Sequence, residues 1–297
     1  MTLYLGIDIG GTKIAGGLVY GDGSVVRTER RSTPLTGGTA ILDAAQDLAR
    51  LLVQEAPESV AGIGLGAGGQ IDAARGIVIA ASDILPGWSG TAVKKTFESA
   101  LAISTFMEND VNALALGESR FGAGRSYAAV VFLGLGTGVG GALLFEGRIY
   151  HGAHSGGGEF GHILLTMDEN ASRRSLEEYA SGTGFVQNWR EITGSDAPKT
   201  GEEIAAEAVR DPNSPAAQAV TRTGEYLGFG LVTLANALDP DLIVIGGGLA
   251  AMGDALLDPA RRILRDYALP EPARCPIVPA ALGQFASVIG AASLAMP

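Results

Sequence analysis

Apolar residues follow two patterns along the chain: short runs typical of buried strands, and longer stretches with helical spacing. In the first half the short runs predict strands over residues 3–8, 14–20, 24–31, 60–66, 77–79 and 103–107. Helical spacing predicts helices over residues 39–55, 93–101 and 111–120. Three strands therefore come first, and helices and strands alternate after them.

The second half of the chain repeats this order. Strands are predicted over residues 128–133, 139–145 and 148–150, and a long polar, glycine-rich stretch follows over residues 151–175. Helices are predicted between residues 176 and 238, with breaks at 194–199 and 211–215. A strand over 242–245 and then a helix, a strand and a helix complete the pattern.

Strand-rich beginnings followed by alternating helices and strands, in both halves, predict an α/β protein with two lobes. The boundary is expected near residues 122–126. The smaller lobe would comprise residues 1–122, joined by the last helix at about 285–297, and the larger lobe residues 123–284. A cleft between two lobes is a favoured ligand site, so we expect the active site there.

A glycine-rich hairpin pattern occurs at residues 7–23 and again 124 residues later. Gly10 corresponds to Gly134 and Gly17 to Gly141, and each copy ends in an acidic residue followed by glycine. Each copy indicates a strand, a tight turn and a second strand. If the two turns face each other, a shared anion would meet backbone N–H groups from both.

Composition narrows the possible functions. A hydrophobic content of 46% and a mean hydropathy of +0.24 indicate a folded protein. The net charge of −11 argues against nucleic acid as the main partner, although it leaves nucleotides open. A single cysteine, Cys275, excludes a disulfide framework and cysteine-rich metal sites.

Location and membrane contact can also be predicted from the sequence. Residues 128–145 carry no charge, but five glycines interrupt them, so no membrane span is expected. The sequence does not begin with a signal-peptide pattern, and the cytoplasm is therefore the expected location.

The two glycine turns are candidates for phosphate binding, because glycine lets a ligand approach the backbone closely and Thr and Lys suit phosphate oxygens. Their members are Gly10, Gly11, Thr12 and Lys13 after the strand residue Asp8, and Gly136, Thr137 and Gly138 in the second turn. Hairpin turns without a ligand are the alternative. The second turn also fits the spacing of a dinucleotide fingerprint, but that motif requires a helix where a strand is predicted here.

Polar residues follow a predicted buried strand at Glu108, Asn109 and Asp110. Asn and Asp are common helix N-caps, which gives one interpretation. The other makes Asp110 a general base at the end of a strand, with Asn109 binding substrate. Local sequence favours neither.

Further candidate ligands lie in the polar stretch and beyond it. Glu159 and His162 follow three glycines and suit adjacent sugar hydroxyls, with a solvated loop as the alternative. Glu177 heads a predicted helix, where it would either bind substrate or stabilise the helix N-terminus. His151 and His154 are weak metal candidates. Three glycines follow the strand at 242–245: Gly246, Gly247 and Gly248. A flat ring could lie against the backbone there, or the segment could be a simple turn.

Taken together, these motifs resemble the ROK family of repressors and sugar kinases, within the actin-like ATPase superfamily. The matching segments cover nearly the whole chain, and their order and spacing are highly specific. They are residues 8–13, 85–88, 108–110, 134–141, 159–162, 177–182 and 244–249.

The resemblance implies a two-lobed actin-like (ribonuclease H-like) fold with a duplicated βββαβαβα core. It implies ATP-dependent phosphorylation of a hexose, most often glucose at its 6-hydroxyl, commonly by a homodimer. Asp110 would be the catalytic base, and Asp8 would lie near nucleotide-bound Mg²⁺. The residues expected to contact sugar are Gly68, Asn109, Glu159, His162 and Glu177. The turn with Gly246, Gly247 and Gly248 would hold adenosine.

The chain departs from the family pattern on the sugar side. Most relatives carry three cysteines that bind zinc between the positions of His162 and Glu177, whereas residues 168–175 hold none, so no zinc is expected. Ile84 stands where relatives often have Asn. Sugar identity is therefore open among glucose, fructose, mannose, allose and N-acetylhexosamines, and the donor is open between ATP and polyphosphate. A sugar sensor without catalysis is a further alternative.

Overall fold

The computed structural model describes residues 1–81, 85–167 and 173–297. The chain forms two compact units. The first comprises Met1–Ser126, Leu144–Gly157 and Ala281–Pro297, and the second Tyr127–Leu143 and Gly158–Ala280. The lobes expected from sequence differ from these units chiefly in residues 144–157, and those lobe limits stay a prediction.

The first sheet has five strands in the order β3-β2-β1-β4-β7. Strands β1, β4 and β7 run parallel, and β2 pairs antiparallel with β1 and β3. The elements of this half are β1 (Leu3–Ile9), β2 (Lys13–Tyr20), β3 (Val25–Ser32), α1 (Gly38–Gln54), β4 (Val60–Ala67), β5 (Gln70–Asp72), β6 (Ile77–Ala80), α2 (Val93–Leu101), β7 (Thr105–Asn109) and α3 (Asp110–Phe121).

The second sheet repeats the arrangement in the order β10-β9-β8-β13-β14. Strands β8, β13 and β14 run parallel, and β10 pairs antiparallel with β9. The remaining elements are β8 (Ala129–Leu135), β9 (Val139–Phe145), β10 (Arg148–Ile149), β11 (Leu164–Met167), β12 (Arg173–Ser175), α4 (Leu176–Ala180), α5 (Gly182–Thr193), α6 (Gly201–Arg210), α7 (Pro215–Leu238), β13 (Leu242–Gly246), α8 (Asp254–Tyr267), β14 (Ile277–Pro279) and α9 (Ala286–Ser293).

The elements expected from hydrophobic spacing are present, and their ends differ by no more than about two residues. Two features of the structure were not predicted. Gln70–Asp72 pairs with Ile77–Ala80 as a small hairpin, and the stretch expected to be polar and irregular contains the hairpin of β11 and β12. Strand β6 is predicted over residues 77–79, whereas β5, β11 and β12 are only three or four residues long and leave no periodic signal in the sequence.

Helix α9 packs directly on the first sheet, where glycines replace side chains. A Cβ atom added at Gly64 would lie 1.7 Å from the carbonyl oxygen of Ala291, and one at Gly6 would lie 2.1 Å from that of Val288. Any side chain at either position would push the helix away. The last helix therefore belongs to the core of the first unit.

The buried carboxylate of Glu118, near the end of α3, organises the backbone of the first unit. It accepts hydrogen bonds from the N–H groups of Ala123, Ala281 and Leu282 at 2.8–3.0 Å. The segment that leads into α9 is thereby fixed to the end of α3. In the described part of the chain, no helix is long and apolar enough to cross a membrane.

Candidate active site

The parallel strands of the first unit bring the predicted carboxylates to one edge of the sheet. In the strand register Asp8 is opposite Gly66, and Ala67 is opposite Asn109, so the ends of β1, β4 and β7 align. A Cβ atom placed on Gly66 would lie 3.6 Å from the Asp110 Cα atom and 4.0 Å from Asp8 Oδ1. Only a glycine separates the two acidic residues.

The electrostatics of this edge favour proton binding. Burial, and then the charge of Asp110, raise the pKa of Asp8 to about 6, although a hydrogen bond with Ser287 and the charge of Lys13 oppose the shift. Burial also raises the pKa of Asp110, against hydrogen bonds from Val111 and Asn109. Both carboxyl groups therefore hold protons more tightly than an exposed aspartate.

Asn109 caps helix α3. Its side-chain oxygen accepts hydrogen bonds from the N–H groups of Val111 at 2.9 Å and Asn112 at 3.2 Å, and its amide nitrogen donates to Gly69 O at 3.0 Å. The N-cap interpretation is thus confirmed. These bonds fix Asn109 beside the turn that contains Gly68, and sugar binding by Asn109 and Gly68 stays a prediction.

The first glycine turn, between β1 and β2, is closed by its own backbone. Gly10 N–H donates to Lys13 O at 3.0 Å, and the Thr33 hydroxyl donates to Gly10 O at 2.6 Å. The Gly10 N–H group is therefore engaged within the turn. Gly11 is half-buried, and Thr12 and Lys13 are exposed and accessible to an anion.

The second glycine turn is closed by its own backbone, with Gly136 N donating to Gly138 O at 2.9 Å, and is also held from outside. Gly136 O accepts from Gly182 N at 2.7 Å, at the start of α5, and Glu177 Oε2 accepts from Val139 N at 2.9 Å. A Cβ atom at Gly138 would lie 2.3 Å from Glu177 Oε2. The Glu177 carboxylate, predicted to contact sugar, supports this turn. Its sugar contact stays a prediction.

The third glycine segment forms one side of a large cavity in the second unit. Gly247 has φ = +86°, and a Cβ atom there would lie 2.4 Å from Leu135 O, so only glycine fits. The cavity has a volume of about 1710 Å³. Its lining includes Gly136, Thr137, Gly248, Leu249, Ala205, Val209, Ala217 and Thr221.

Glu159 precedes a single 3₁₀ turn and His162 is its last residue, and both side chains are exposed. A Cβ atom at Gly161 would lie 2.3 Å from Val139 O, so this turn packs closely against β9. Glu159 and His162 are thereby carried on a fixed backbone, next to the strand that follows the second glycine turn.

The connection from His162 to Glu177 is held without a cysteine cluster. Strands β11 and β12 pair, Leu176 N donates to Ile163 O at 2.7 Å, and Ser175 forms a capping box with Glu178 at the start of α4. Arg174 donates two bonds of 3.0 Å to Glu191. Residues 168–172 and Ile84 lie outside the described residues. Within the described ranges no three His, Cys, Asp or Glu side chains could hold a metal ion.

Comparison with known proteins accounts for this arrangement. The model of the ROK family matches residues 4–297. The chain belongs to the ROK family. Glucokinase from Streptomyces coelicolor is 32% identical, over 99% of this chain and 98% of the relative. N-acetyl-D-glucosamine kinase from Vibrio atlanticus is 33% identical, over 98% of this chain and 99% of the relative.

A solved structure agrees with the fold. A ROK glucokinase from Streptomyces griseus, in complex with glucose and AMPPNP, superimposes with a TM-score of 0.82 at 31% identity, over 98% of each chain. The actin-like ATPase fold and the sugar kinase activity expected from the sequence are both confirmed. The protein is a ROK sugar kinase.

Two groups of residues in this ROK kinase were not predicted from its sequence. The cavity lining from α6 and α7 was missed because its small residues, such as Ala205 and Ala217, resemble ordinary helix surface. The other is the pair of Glu108 Oε2 and His151 Nε2, 2.5 Å apart, in which the hydrogen bond to Glu108 raises the pKa of His151. His151 was considered only as a weak metal candidate, because its partner lies 43 residues away.

Proposed function

We propose that this ROK kinase transfers the γ-phosphoryl group of ATP to the 6-hydroxyl of glucose or a closely related hexose. The observation that carries the proposal is the partly buried Asp110 carboxyl group, with its raised pKa, at the carboxyl edge of the first sheet. A general base works best when its pKa is near the operating pH. Burial raises the pKa of Asp110 towards that range.

In the proposed step, Asp110 accepts the proton of the sugar hydroxyl as that oxygen attacks the γ-phosphorus and ADP leaves. Backbone N–H groups of the two glycine turns and the Lys13 ammonium group would stabilise the charge on the transferring group. Positioning and electrostatics supply most of the acceleration in such reactions.

The nucleotide would occupy the cavity of the second unit. Gly248 and Gly136 have no atom within 4 Å of an added Cβ position, so a flat ring and a phosphate chain can approach the backbone there. The glucokinase structure that contains AMPPNP supports a nucleotide as donor.

We also propose that Asp8 lies near nucleotide-bound Mg²⁺. Asp8 is a partly buried carboxylate whose main neighbouring charge is another carboxylate, and Mg²⁺ prefers oxygen ligands. The ion would neutralise phosphate charge. We further propose a homodimer in solution, which light scattering after size-exclusion chromatography would test.

The N-acetyl-D-glucosamine kinase relative favours a second candidate sugar. A panel of about ten hexoses, including fructose, mannose, allose and N-acetylhexosamines, would separate the candidates through kcat/KM in an ADP-release assay. We expect the highest value with glucose. A higher value with N-acetylglucosamine would reject the glucose assignment, and turnover with polyphosphate alone would reject ATP as the required donor.

A further inference from the structure

We propose that His151 positions Asp110 for proton transfer, acting through Glu108. The inference rests on the proposed function, because it gives His151 a role in the same reaction. His151, Glu108 and Asp110 all belong to the first unit.

Glu108 is the starting point of the argument. It is the second-last residue of β7, and its buried side chain, 3% exposed, lies beside the two residues of the predicted base motif. Its Oε1 atom accepts from Asn109 N at 2.8 Å and from Asn112 Nδ2 at 3.1 Å. Its Oε2 atom is paired with the His151 ring at 2.5 Å. The buried carboxylate therefore depends on His151 for one of its two oxygens.

The link continues from Glu108 to the proposed base. Glu108 holds the Asn109 N–H group, the Asn109 side chain accepts from Val111 N at 2.9 Å, and Asp110 Oδ1 accepts from the same Val111 N–H at 3.0 Å. A shift of Glu108 would therefore change the orientation of the Asp110 carboxylate. His151 touches none of the reacting groups in the proposed step, so it acts as a positioning residue.

The backbone around His151 is fixed in a way that suits this role. Gly157 N donates to His151 O at 2.8 Å and closes a small loop, and Gln70 Nε2 donates to His154 O within that loop at 3.1 Å. Gly69, next to Gln70, accepts the Asn109 amide. The loop, the turn after β4 and the turn after β7 are thus joined by hydrogen bonds.

Removing the imidazole would leave Glu108 Oε2 without its partner. A buried carboxylate oxygen that loses a hydrogen bond either draws in water or moves towards another donor. Either response shifts the Asn109 and Asp110 backbone by a fraction of an ångström or more. Displacements of about 1 Å at a reacting group can cost about a hundredfold in rate.

The test compares His151→Ala, His151→Gln and the control His154→Ala by steady-state kinetics at a temperature well below all three melting points. His154 is on the same loop, and its recorded contact is made through its backbone carbonyl, so its imidazole can be removed without breaking that bond. We expect kcat to fall about tenfold to a hundredfold in His151→Ala, with the KM for ATP unchanged. His151→Gln keeps an N–H donor and should restore kcat to within about threefold.

A double-variant cycle tests the route through Glu108. If His151 acts through Glu108, the combination of Glu108→Gln with His151→Ala should lose no more kcat than Glu108→Gln alone. Additive losses would overturn the inference, as would a kcat in His151→Ala equal to that of His154→Ala. An unsubstituted protein without turnover on any sugar would instead reject the proposed function itself.

Discussion

The two glycine turns have the same origin in sequence but different surroundings. At the offset of 124 residues, Asp8 corresponds to the buried Phe132, and Lys13 corresponds to Thr137. The first turn thus has charged residues of both signs, whereas the second has no charged residue of its own, is supported by the Glu177 carboxylate and lies next to a large cavity. The same backbone pattern therefore carries different side chains at equivalent positions in the two units.

The supports of the turns differ as well. The first is closed by Lys13 O and Thr33, both close to it in the first sheet. The second also has a backbone hydrogen bond of its own, from Gly136 N to Gly138 O, and is held in addition by Glu177 and Gly182, which come from the helices that follow the polar stretch. The geometry of the second turn is therefore linked to the segment between His162 and Glu177.

The strongest test of this comparison is Asp110→Asn. If catalysis depends on the carboxyl edge of the first unit, kcat should fall by about 10²–10⁴-fold, because a general base contributes that much. Steady-state kinetics would measure the loss, with Asp47→Asn on the exposed face of α1 as the control. Near-normal turnover in Asp110→Asn would exclude Asp110 as the base.

A second test removes the charge of Asp8, which has no equivalent in the second unit. Its pKa is about 6 in the folded protein and 3.8 in the reference state, so its contribution to stability is present below pH 3.8 and lost as the pH rises through about 6. Asp8→Asn should therefore raise the free energy of unfolding at pH 8 by roughly 1–3 kcal/mol.

Urea denaturation of the Asp8→Asn variant at pH 8 and pH 4 would measure this difference. The gain should shrink at the lower pH, because the unsubstituted carboxyl group is then largely protonated. A gain of equal size at both pH values would show that a difference in packing, and not in charge, makes the Asp8→Asn variant more stable than the unsubstituted protein.

A third test concerns the outside support of the second turn. Glu177→Ala removes the acceptor of Val139 N and should lower kcat/KM for ATP about tenfold, since a hydrogen bond to a charged group is worth roughly 1.5–3 kcal/mol. Glu177→Gln keeps an acceptor oxygen and serves as the matched control. A change confined to the KM of the sugar would favour the sugar contact expected from the sequence.

The smallest effect is expected for the support of the first turn. Thr33→Val removes the hydrogen bond to Gly10 O and should cost about 1 kcal/mol of stability, with kcat within about threefold. Thermal denaturation and kinetics would measure both quantities. A loss of kcat as large as that of Asp110→Asn would show that the first turn is no more tolerant of losing a supporting hydrogen bond than the second.

Features that depend on nearby residues were predictable from the sequence. Hydrophobic spacing predicted strands such as β1 and helices such as α2, because burial on one face leaves a local period. Contacts between distant residues were not predictable. The bond of Glu108 with His151, and the approach of Gly247 to Leu135, depend on how the strands assemble.

The place of α9 in the first unit has a consequence for synthesis of the protein. Ser287 bonds to Asp8, and the glycines of β1 and β4 form a groove that only this helix fills. On the ribosome, β1 emerges long before α9, because all the other helices and strands described above lie between them in sequence. The nascent first unit therefore exposes an open groove during translation, and its acidic edge is completed only when residues 286–293 have left the exit tunnel.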